Sequence, residues 1–339
     1  MVLKYYIPQG EFYKIIMIEE EKNILDSQKN PIKIIPSILV VLFFSIVVYL
    51  SFFSFNENGI NNISKQEILP NKILILKLEQ VPLEATAVFV WDVYNQREIF
   101  SKNSETQLPL ASLSKVMTAL VASDYDDKNI IVKIDKENLK YDGNNGLIDN
   151  ERWNLKNLLD FTLISSSNDG ASAVATAVQS ISKKESENEI TSFAEKMNKK
   201  AKELNLKQTY FLNESGLDID ENYLSGSYGS ARDITMLFDH IIKNKPWILE
   251  ATSYKNLSLK SEDKVHNTEN TNEIIDNVPW IIASKTGYTD LAGGNLVVAF
   301  DNGMMRPVIV SILGSSKEGR FEDIKKIVDA VFTYKNIEE

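Results

Sequence analysis

The chain has 339 residues, of which 43% are hydrophobic and 25% are charged, a composition typical of globular proteins. Its 47 acidic and 37 basic side chains give a formal net charge of −10, which disfavours binding to nucleic acid or to anionic membrane surfaces. The absence of cysteine excludes disulfides, thiolate zinc sites and a cysteine nucleophile.

The first strong local pattern is an apolar segment, residues 34–55, that contains no charged side chain. It is long enough to cross a bilayer as a helix. One alternative is a cleavable signal peptide, whose apolar core would be shorter and followed by small residues. Another is a buried core helix, although no polar face interrupts the segment. We therefore expect an uncleaved transmembrane helix at 34–55.

Lysines close to this segment are more frequent before it than after it: Lys14, Lys22, Lys29 and Lys33 precede it, and Lys65 and Lys72 follow it. The positive-inside rule then places the N-terminus in the cytoplasm. We expect a cytoplasmic tail at 1–33, a polar spacer at 56–72 and a folded extracytoplasmic domain at 73–335. The protein would be a single-pass protein of the cell membrane, with the lipid bilayer as a partner of residues 34–55.

Within the folded domain, hydrophobic periodicity predicts strands first, then helices, then strands and a last helix. An opening hairpin is expected at 85–94 and 98–101, and Asp301-Asn302-Gly303 is typical of a tight turn between two later strands. Such an order favours helices packed on an antiparallel sheet, the α+β class. The expected helices are 111–123, 154–164, 169–181, 192–204 and one opening at Ser230, the later strands are 280–287, 295–300 and 307–313, and the last helix covers 321–331.

Histidine-dependent catalysis has few candidate residues, since His240 and His266 are the only two histidines. The sequence has no Gly-x-Ser-x-Gly elbow and no His-Glu-x-x-His pair, which disfavours a serine–histidine–acid hydrolase and a zinc hydrolase. It also has no phosphate loop and no dinucleotide fingerprint. We expect no metal and no cofactor, and a catalytic serine would need a base other than histidine.

Lysine is such a base when desolvation lowers its pKa toward neutrality. Ser112 and Lys115 are one helical turn apart at the start of an apolar helix, where the helix dipole favours negative charge. Two other Ser-x-x-Lys tetrads begin at Ser180 and Ser261, but Ser180 falls at a polar helix end and Ser261 in a charged loop. The context therefore favours Ser112.

Two further motifs follow in chain order, Ser166-Ser167-Asn168 and Lys285-Thr286-Gly287. Short Ser-x-Asn matches also occur at Ser54, Ser101 and Ser186, so Ser166 is distinguished by its place between two predicted helices. The order of Ser-x-x-Lys, Ser-x-Asn and Lys-Thr-Gly is the one found in penicillin-binding proteins and class A β-lactamases.

Longer stretches of sequence around these motifs point to a specific protein family. The stretches 109–120 (PLASLSKVMTAL), 165–171 (SSSNDGA), 210–218 (YFLNESGLD), 228–233 (YGSARD) and 284–297 (SKTGYTDLAGGNLV) resemble signature blocks of the low-molecular-mass D-Ala-D-Ala carboxypeptidases. The resemblance implies a penicillin-binding/β-lactamase-like domain, a five-stranded antiparallel sheet flanked by helices with an all-helical lobe. It also implies a peptidoglycan stem peptide ending in D-Ala-D-Ala as substrate and β-lactams as covalent inhibitors.

The resemblance assigns a role to each motif residue. Ser112 would be the nucleophile and Lys115 its general base, with Ser166 relaying a proton to the leaving amine and Asn168 binding the substrate amide. Lys285 and Thr286 would bind the terminal carboxylate of the substrate. Gly287 would let the edge strand approach the substrate peptide closely, and the N–H groups of Tyr288 and Ser112 would together form the oxyanion hole. Asn213–Gly216, Arg232 and Asp233 are interpreted mainly as structural, Asp233 as a helix cap.

Three alternatives stay open. A D,D-endopeptidase would use the same residues on cross-links, and a β-lactamase would share the motifs but need an additional base for rapid deacylation. A non-catalytic, membrane-tethered wall-binding protein would be expected to lose Ser112 or Lys115, and both are present.

Overall fold

A computed structural model of the chain describes residues 78–140, 146–185, 192–220 and 223–338. The helices are α1 (Ser114–Ala122), α2 (Leu155–Ile164), α3 (Asn168–Glu185), α4 (Phe193–Glu203), α5 (Ala231–Asn244) and α6 (Gly319–Glu338). The strands are β1 (Ala87–Asp92), β2 (Arg97–Lys102), β3 (Leu108–Pro109), β4 (Ile131–Lys133), β5 (Arg152–Asn154), β6 (Tyr210–Phe211), β7 (Ser227–Gly229), β8 (Asn256–Lys260), β9 (Val265–Glu269), β10 (Ile281–Thr289), β11 (Gly293–Asp301) and β12 (Pro307–Ser315).

The main sheet has five antiparallel strands in the order β10-β11-β12-β1-β2. Lys285 on β10 pairs with Val297 on β11, which in turn pairs with Ser311 on β12. Ser311 pairs with Phe89 on β1, which brings the first and last strands of the domain together. The α+β class and the five-stranded antiparallel sheet are therefore confirmed, and β10, which carries Lys-Thr-Gly, is an edge strand.

The sheet is buried on both faces because side chains alternate between two apolar layers. On β1, Ala87 and Phe89 belong to the layer that includes helices α1 and α5, while Val88 and Val90 belong to the layer under α6. Helix α6 covers this second layer with side chains at helical spacing: Phe321, Ile324, Ile327, Val328 and Val331.

The central helix α1 is buried along its whole length, and apart from Lys115 and Thr118 the residues after Ser114 are apolar. Helices α2 and α4 begin after capping residues. Asn154 accepts from the N–H of Lys156, and Ser192 forms a reciprocal capping box with Glu195. Helices α1, α2, α3 and α4 pack together beside the sheet, and the residues just before α1 lie against β10.

Two local expectations need correction. The β11–β12 turn is longer than Asp301-Asn302-Gly303 suggested, since Asp301 accepts from the N–H groups of Gly303, Met305 and Arg306. Asp233 was expected to act as a helix cap, but Ser230 caps α5, and the Asp233 carboxylate instead accepts from the N–H of Gln208 and the Thr209 hydroxyl.

The sequence analysis did not predict the hairpin β8–β9. Its strands are short and polar, with exposed side chains alternating with buried or half-buried ones. The charged loop that contains Ser261 is the turn of this hairpin.

Residues 1–77, which include the expected tail, membrane helix and spacer, lie outside the described ranges. Within those ranges, no helix combines the length and the apolar composition needed to cross a membrane.

Candidate active site

Ser112 lies in a short 3-10 turn, Ala111–Leu113, that leads directly into α1. Ala111 has φ 49°, a left-handed conformation that costs a non-glycine residue about 1–3 kcal/mol and is typical of functional turns. Asn295, buried on β11, fixes the segment before the turn because its Nδ2 donates to the Pro109 carbonyl at 3.0 Å. The N–H of Ser112 is thereby held near the positive end of α1.

Lys115 is fully buried, and its Nζ lies within hydrogen-bond distance of three acceptors. These are Ser112 Oγ at 2.8 Å, Asn168 Oδ1 at 2.7 Å and the Ser215 carbonyl oxygen at 2.8 Å. Burial lowers the pKa of Lys115 from 10.5 to about 7, and the negative charge of Glu214 opposes part of that shift. Near neutral pH this amine is therefore able to accept a proton from Ser112.

The segment Asn213–Gly216 belongs to the site, although the sequence analysis interpreted it as structural. Ser215 supplies the carbonyl that Lys115 binds, and Asn213 Oδ1 orders the loop by accepting from the N–H groups of Ser215 and Gly216. Gly216 has φ 78°, and a Cβ there would lie 1.9 Å from the Ala111 carbonyl oxygen. In the sequence, the glycine that follows Ser215 in the block 210–218 was the feature that could have indicated this close approach to Ala111.

Ser166 and Asn168 lie at the junction of α2 and α3. Ser166 has φ 60°, again left-handed. Ser167 anchors the junction, since its N–H donates to the Thr162 carbonyl and its hydroxyl accepts from the N–H of Gly170. Asn168 begins α3 with its Oδ1 on Lys115, so one junction supplies groups to both sides of the site.

Lys285 is the second buried lysine of the site. Its Nζ donates to Ser166 Oγ at 2.8 Å and to the Thr286 carbonyl at 2.9 Å. Burial lowers the pKa of Lys285 well below its usual value, and the positive charges of Lys115 and Arg320 add to the effect. A bound anion would supply the negative charge that this position lacks.

Thr286 and Gly287 complete the edge of β10. The Thr286 hydroxyl lies 2.5 Å from that of Thr271, and the Gly287 carbonyl accepts from Arg320 Nη1 at 2.8 Å. A Cβ on Gly287 would lie 2.8 Å from the Leu110 carbonyl oxygen and 3.3 Å from the Ser112 N. Glycine is therefore required for β10 to approach the Ser112 turn this closely.

The structure brings most of the predicted residues into one cluster. Ser112, Lys115 and Asn168 share hydrogen bonds, Ser166 binds Lys285, and Gly287 lies beside the Ser112 turn. The Tyr288 side chain is partly exposed and contacts Asp290 and Lys317, away from these bonds. The sequence analysis missed the contributions of Ser215, Thr271 and Arg320.

The competing serines and the histidines have other partners. Ser180 donates to the Thr176 carbonyl and Ser261 to Glu151 Oε1. His266 is buried against Glu151, and His240 contacts Asn244 within α5. Of the serines that begin the three Ser-x-x-Lys tetrads, Ser112 is the one whose hydroxyl binds the side-chain amine of its own tetrad lysine, Lys115, among the residues that the structure describes.

Comparison with known proteins agrees with this arrangement. Residues 76–317 match the family described as D-alanyl-D-alanine carboxypeptidase. The chain is 32% identical over 241 residues to D-alanyl-D-alanine carboxypeptidase DacF of Bacillus subtilis, a match that covers 69% of this chain and 59% of that protein. It is 29% identical to DacB2 of Mycobacterium tuberculosis, with 70% and 79% covered.

Among solved structures, the chain is similar to penicillin-binding protein D2 of Listeria monocytogenes in its ampicillin-bound form. The TM-score is 0.64 and the identity 26%, with 75% of this chain and 99% of that one covered. The match to the Bacillus subtilis relative thus spans less than two thirds of that relative's length, whereas the Listeria structure is covered almost entirely. The family match alone covers most of the domain, and the chain belongs to the D-alanyl-D-alanine carboxypeptidase family.

Proposed function

We propose that the chain is a serine-type D-Ala-D-Ala carboxypeptidase that removes the terminal D-alanine from peptidoglycan stem peptides through a Ser112 acyl-enzyme. The observation that carries the proposal is the Ser112–Lys115 pair. A serine hydroxyl lies 2.8 Å from a fully buried amine whose pKa is about 7, so nucleophile and base are in contact and the base is available near neutral pH.

In the acylation step, Lys115 takes the hydroxyl proton of Ser112 while Ser112 Oγ attacks the carbonyl carbon of the penultimate D-alanine. The developing oxyanion is stabilised by the N–H groups of Ser112 and Tyr288, the first at the start of α1 and the second on β10. Collapse breaks the C–N bond and leaves an ester on Ser112. Ser166, which is hydrogen-bonded to Lys285, relays a proton to the leaving amine, and Lys115 gives up the proton that it took from Ser112, so Ser166 keeps its hydroxyl and Lys115 returns to the neutral amine.

Substrate orientation uses the other side of the site. The terminal carboxylate binds Lys285 and Thr286, where the buried Lys285 amine can donate hydrogen bonds and the buried guanidinium of Arg320 favours an anion. Asn168 binds the substrate amide while its Oδ1 keeps Lys115 in place. In deacylation, neutral Lys115 takes a proton from the attacking water, the ester C–O bond breaks, and Lys115 returns the proton to Ser112 Oγ, which regenerates the hydroxyl. The same geometry accounts for β-lactams as covalent inhibitors, since their ring carbonyl would occupy the position of the scissile amide.

The first test is covalent labelling of the purified full-length chain with a fluorescent penicillin, beside Ser112→Ala, followed by D-alanine release from a D-Ala-D-Ala peptide. Stable labelling that requires Ser112, with D-alanine release, is the expected result. Rapid loss of the label would instead identify a β-lactamase. A folded protein that neither labels nor releases D-alanine would reject the enzyme in favour of a wall-binding protein.

We further propose that residues 34–55 anchor the chain in the cell membrane, with residues 1–33 in the cytoplasm and the catalytic domain outside. The support is the uncharged sequence of this segment and the lysine bias before it. Cells expressing the chain would be treated with protease from outside, and membranes extracted with alkaline carbonate. Digestion of the catalytic domain in intact cells, with the chain retained in carbonate-washed membranes, is expected; release into the carbonate wash would contradict the anchor.

A further inference from the structure

Arg320 is a buried cation in the first turn of α6. A positive charge at this end of a helix opposes the helix dipole, and its burial costs further stability, so α6 itself does not explain the residue. Burial lowers the pKa of Arg320, and the negative charges of the exposed Glu273 and Glu318 oppose part of that shift, but an arginine stays cationic at neutral pH. The buried charge therefore needs a partner inside the domain.

That partner is the Gly287 carbonyl oxygen, which accepts a hydrogen bond from Arg320 Nη1 at 2.8 Å in a buried position. Hydrogen bonds with a charged donor are about twice as strong as neutral ones, and the exclusion of water strengthens them further. The carbonyl belongs to the glycine of the Lys-Thr-Gly motif, 33 residues before Arg320. The bond thus connects α6 to the strand that carries the proposed oxyanion donor.

The neighbouring strand leaves room for this contact. Strand β11 changes its register with β12 just after Gly294, the residue that pairs with Tyr288 on β10. A Cβ on Gly294 would lie 3.2 Å from Arg320 Cδ, so the missing side chain makes space for the arginine. Ser316 fixes the start of α6, since its hydroxyl accepts from the N–H of Gly319. The guanidinium therefore reaches β10 through a gap beside β11.

The Gly287 carbonyl and the Tyr288 N–H are the two ends of one peptide unit. That peptide bond is trans, so its N–H points in the direction opposite to its C=O. With the carbonyl directed at Arg320, the N–H is directed away from that guanidinium. The Ser112 turn lies against the same part of β10, where a Cβ on Gly287 would be 3.3 Å from the Ser112 N. One planar group therefore connects the buried cation with the proposed oxyanion hole.

Resting on the proposed function, we propose that Arg320 is a positioning residue for the oxyanion hole and acts through the Gly287–Tyr288 peptide. Its hydrogen bond fixes the plane of this peptide, so that the Tyr288 N–H stays aligned with that of Ser112. Its charge draws electrons toward the Gly287 oxygen, which makes the Tyr288 N–H a stronger donor. Both effects are largest in the transition state, when negative charge develops on the carbonyl oxygen of the substrate.

The test uses the full-length chain and two variants that differ in charge, Arg320→Lys and Arg320→Gln. Both keep a hydrogen-bond donor on a flexible stem, and only lysine keeps the positive charge. Stopped-flow measurement at saturating penicillin gives the acylation rate constant, to which weaker binding of the penicillin carboxylate does not contribute. Infrared spectroscopy of the acyl-enzyme gives the stretching frequency of the ester carbonyl, which falls as hydrogen bonds to its oxygen strengthen.

We expect Arg320→Gln to lower the acylation rate constant about tenfold and to raise the ester frequency, since removal of a whole oxyanion donor costs roughly 10²–10³-fold. Arg320→Lys should lie between the wild type and Arg320→Gln in both quantities. Lys326→Gln is the matched control and should change neither, because Lys326 is another cation of α6 that donates to a backbone carbonyl, that of Pro82, away from the site.

Three results would overturn the inference: both variants at the wild-type values, equal values for the two variants, or a slower Arg320→Gln whose ester frequency equals that of the wild type. The last would show a general structural loss. If Arg320→Gln does not fold, Arg320→Lys decides, since its ester frequency must exceed the wild-type value. Absence of a Ser112-dependent acyl-enzyme in the wild type would instead reject the proposed function.

Discussion

Lys285 Nζ donates a hydrogen bond of 2.8 Å to Ser166 Oγ, although 119 residues separate the two in the chain. The distance equals that between Lys115 Nζ and Ser112 Oγ, so the site contains two buried lysine–serine pairs. One pair contains the proposed nucleophile, Ser112, and the other contains Ser166, the serine proposed to protonate the leaving amine.

The second pair predicts a defect in turnover. Ser166→Ala removes the hydroxyl proposed to protonate the leaving amine, and we expect kcat for D-alanine release to fall about 10²-fold or more, as general acid catalysis contributes roughly 10²–10⁴-fold. Ser165→Ala is the matched control, because Ser165 Oγ donates to the Phe161 carbonyl within α2. Equal kcat in the wild type and in Ser166→Ala would show that Ser166 does not protonate the leaving amine.

A second prediction follows from the pKa of Lys115, about 7. Only the neutral amine accepts a proton, so acylation by a penicillin should fall about tenfold per pH unit below that value and level off above it. Because the charge of Glu214 raises the pKa of Lys115, Glu214→Gln should shift the profile to lower pH. Stopped-flow measurement of the acylation rate from pH 5 to 9 gives the profiles of the wild type and of Glu214→Gln. A shift of the Glu214→Gln profile to higher pH would contradict the assignment of Lys115 as the base.

The close approach of β10 to the Ser112 turn predicts a strong effect of Gly287→Ala. The new Cβ would lie 2.8 Å from the Leu110 carbonyl oxygen, so strand or turn must move. We expect an acylation rate at least tenfold lower, since small displacements of reacting groups are costly.

Gly146→Ala is the control for Gly287→Ala. A Cβ on residue 146 would have no atom within 4 Å, but the backbone there has φ 85°, which an alanine adopts with strain. Gly146→Ala should therefore lower the free energy of unfolding by about 1 kcal/mol and leave the acylation rate unchanged. Acylation of Gly287→Ala at the wild-type rate would show that the turn tolerates the displacement.

A fourth prediction concerns stability away from the site. Buried Glu151 accepts hydrogen bonds from Ser261 at 2.7 Å and from the Ile148 N–H, and its Oε1 lies 2.5 Å from His266 Nε2. Burial raises the pKa of Glu151, but the hydrogen bonds from His266, Ser261 and Ile148 outweigh it, so the net pKa lies below the usual 4.5. The stabilising contribution is thus present above about pH 4.5 and is lost as pH falls through the lowered value.

Glu151→Gln should therefore lower the free energy of unfolding by about 1.5–3 kcal/mol at pH 7 and by less at pH 4, measured by urea denaturation. Glu262→Gln, on an exposed residue paired with Arg152, should change it by under about 1 kcal/mol. An equal loss for Glu151→Gln at both pH values would show that its charge does not stabilise the fold.

Particular elements show how far local patterns reach. Strand β11 and helix α6 were predicted because their apolar side chains follow the periods of a strand and a helix. Hairpin β8–β9 was missed because its strands are polar, and the Asp233 carboxylate was assigned to a helix cap although it binds residues on another segment. In both cases the deciding contacts are long-range.

The sequence by itself determined the α+β order of elements, the three motifs and the Ser112–Lys115 pair, because residues one helical turn apart meet wherever a helix forms. Only the tertiary structure decided that Ser215 and Asn168 share Lys115, that Thr271 and Arg320 support β10, and that both lysines are buried. The physical reason is that a lysine pKa depends on desolvation and on charges brought from distant segments, and local spacing specifies neither.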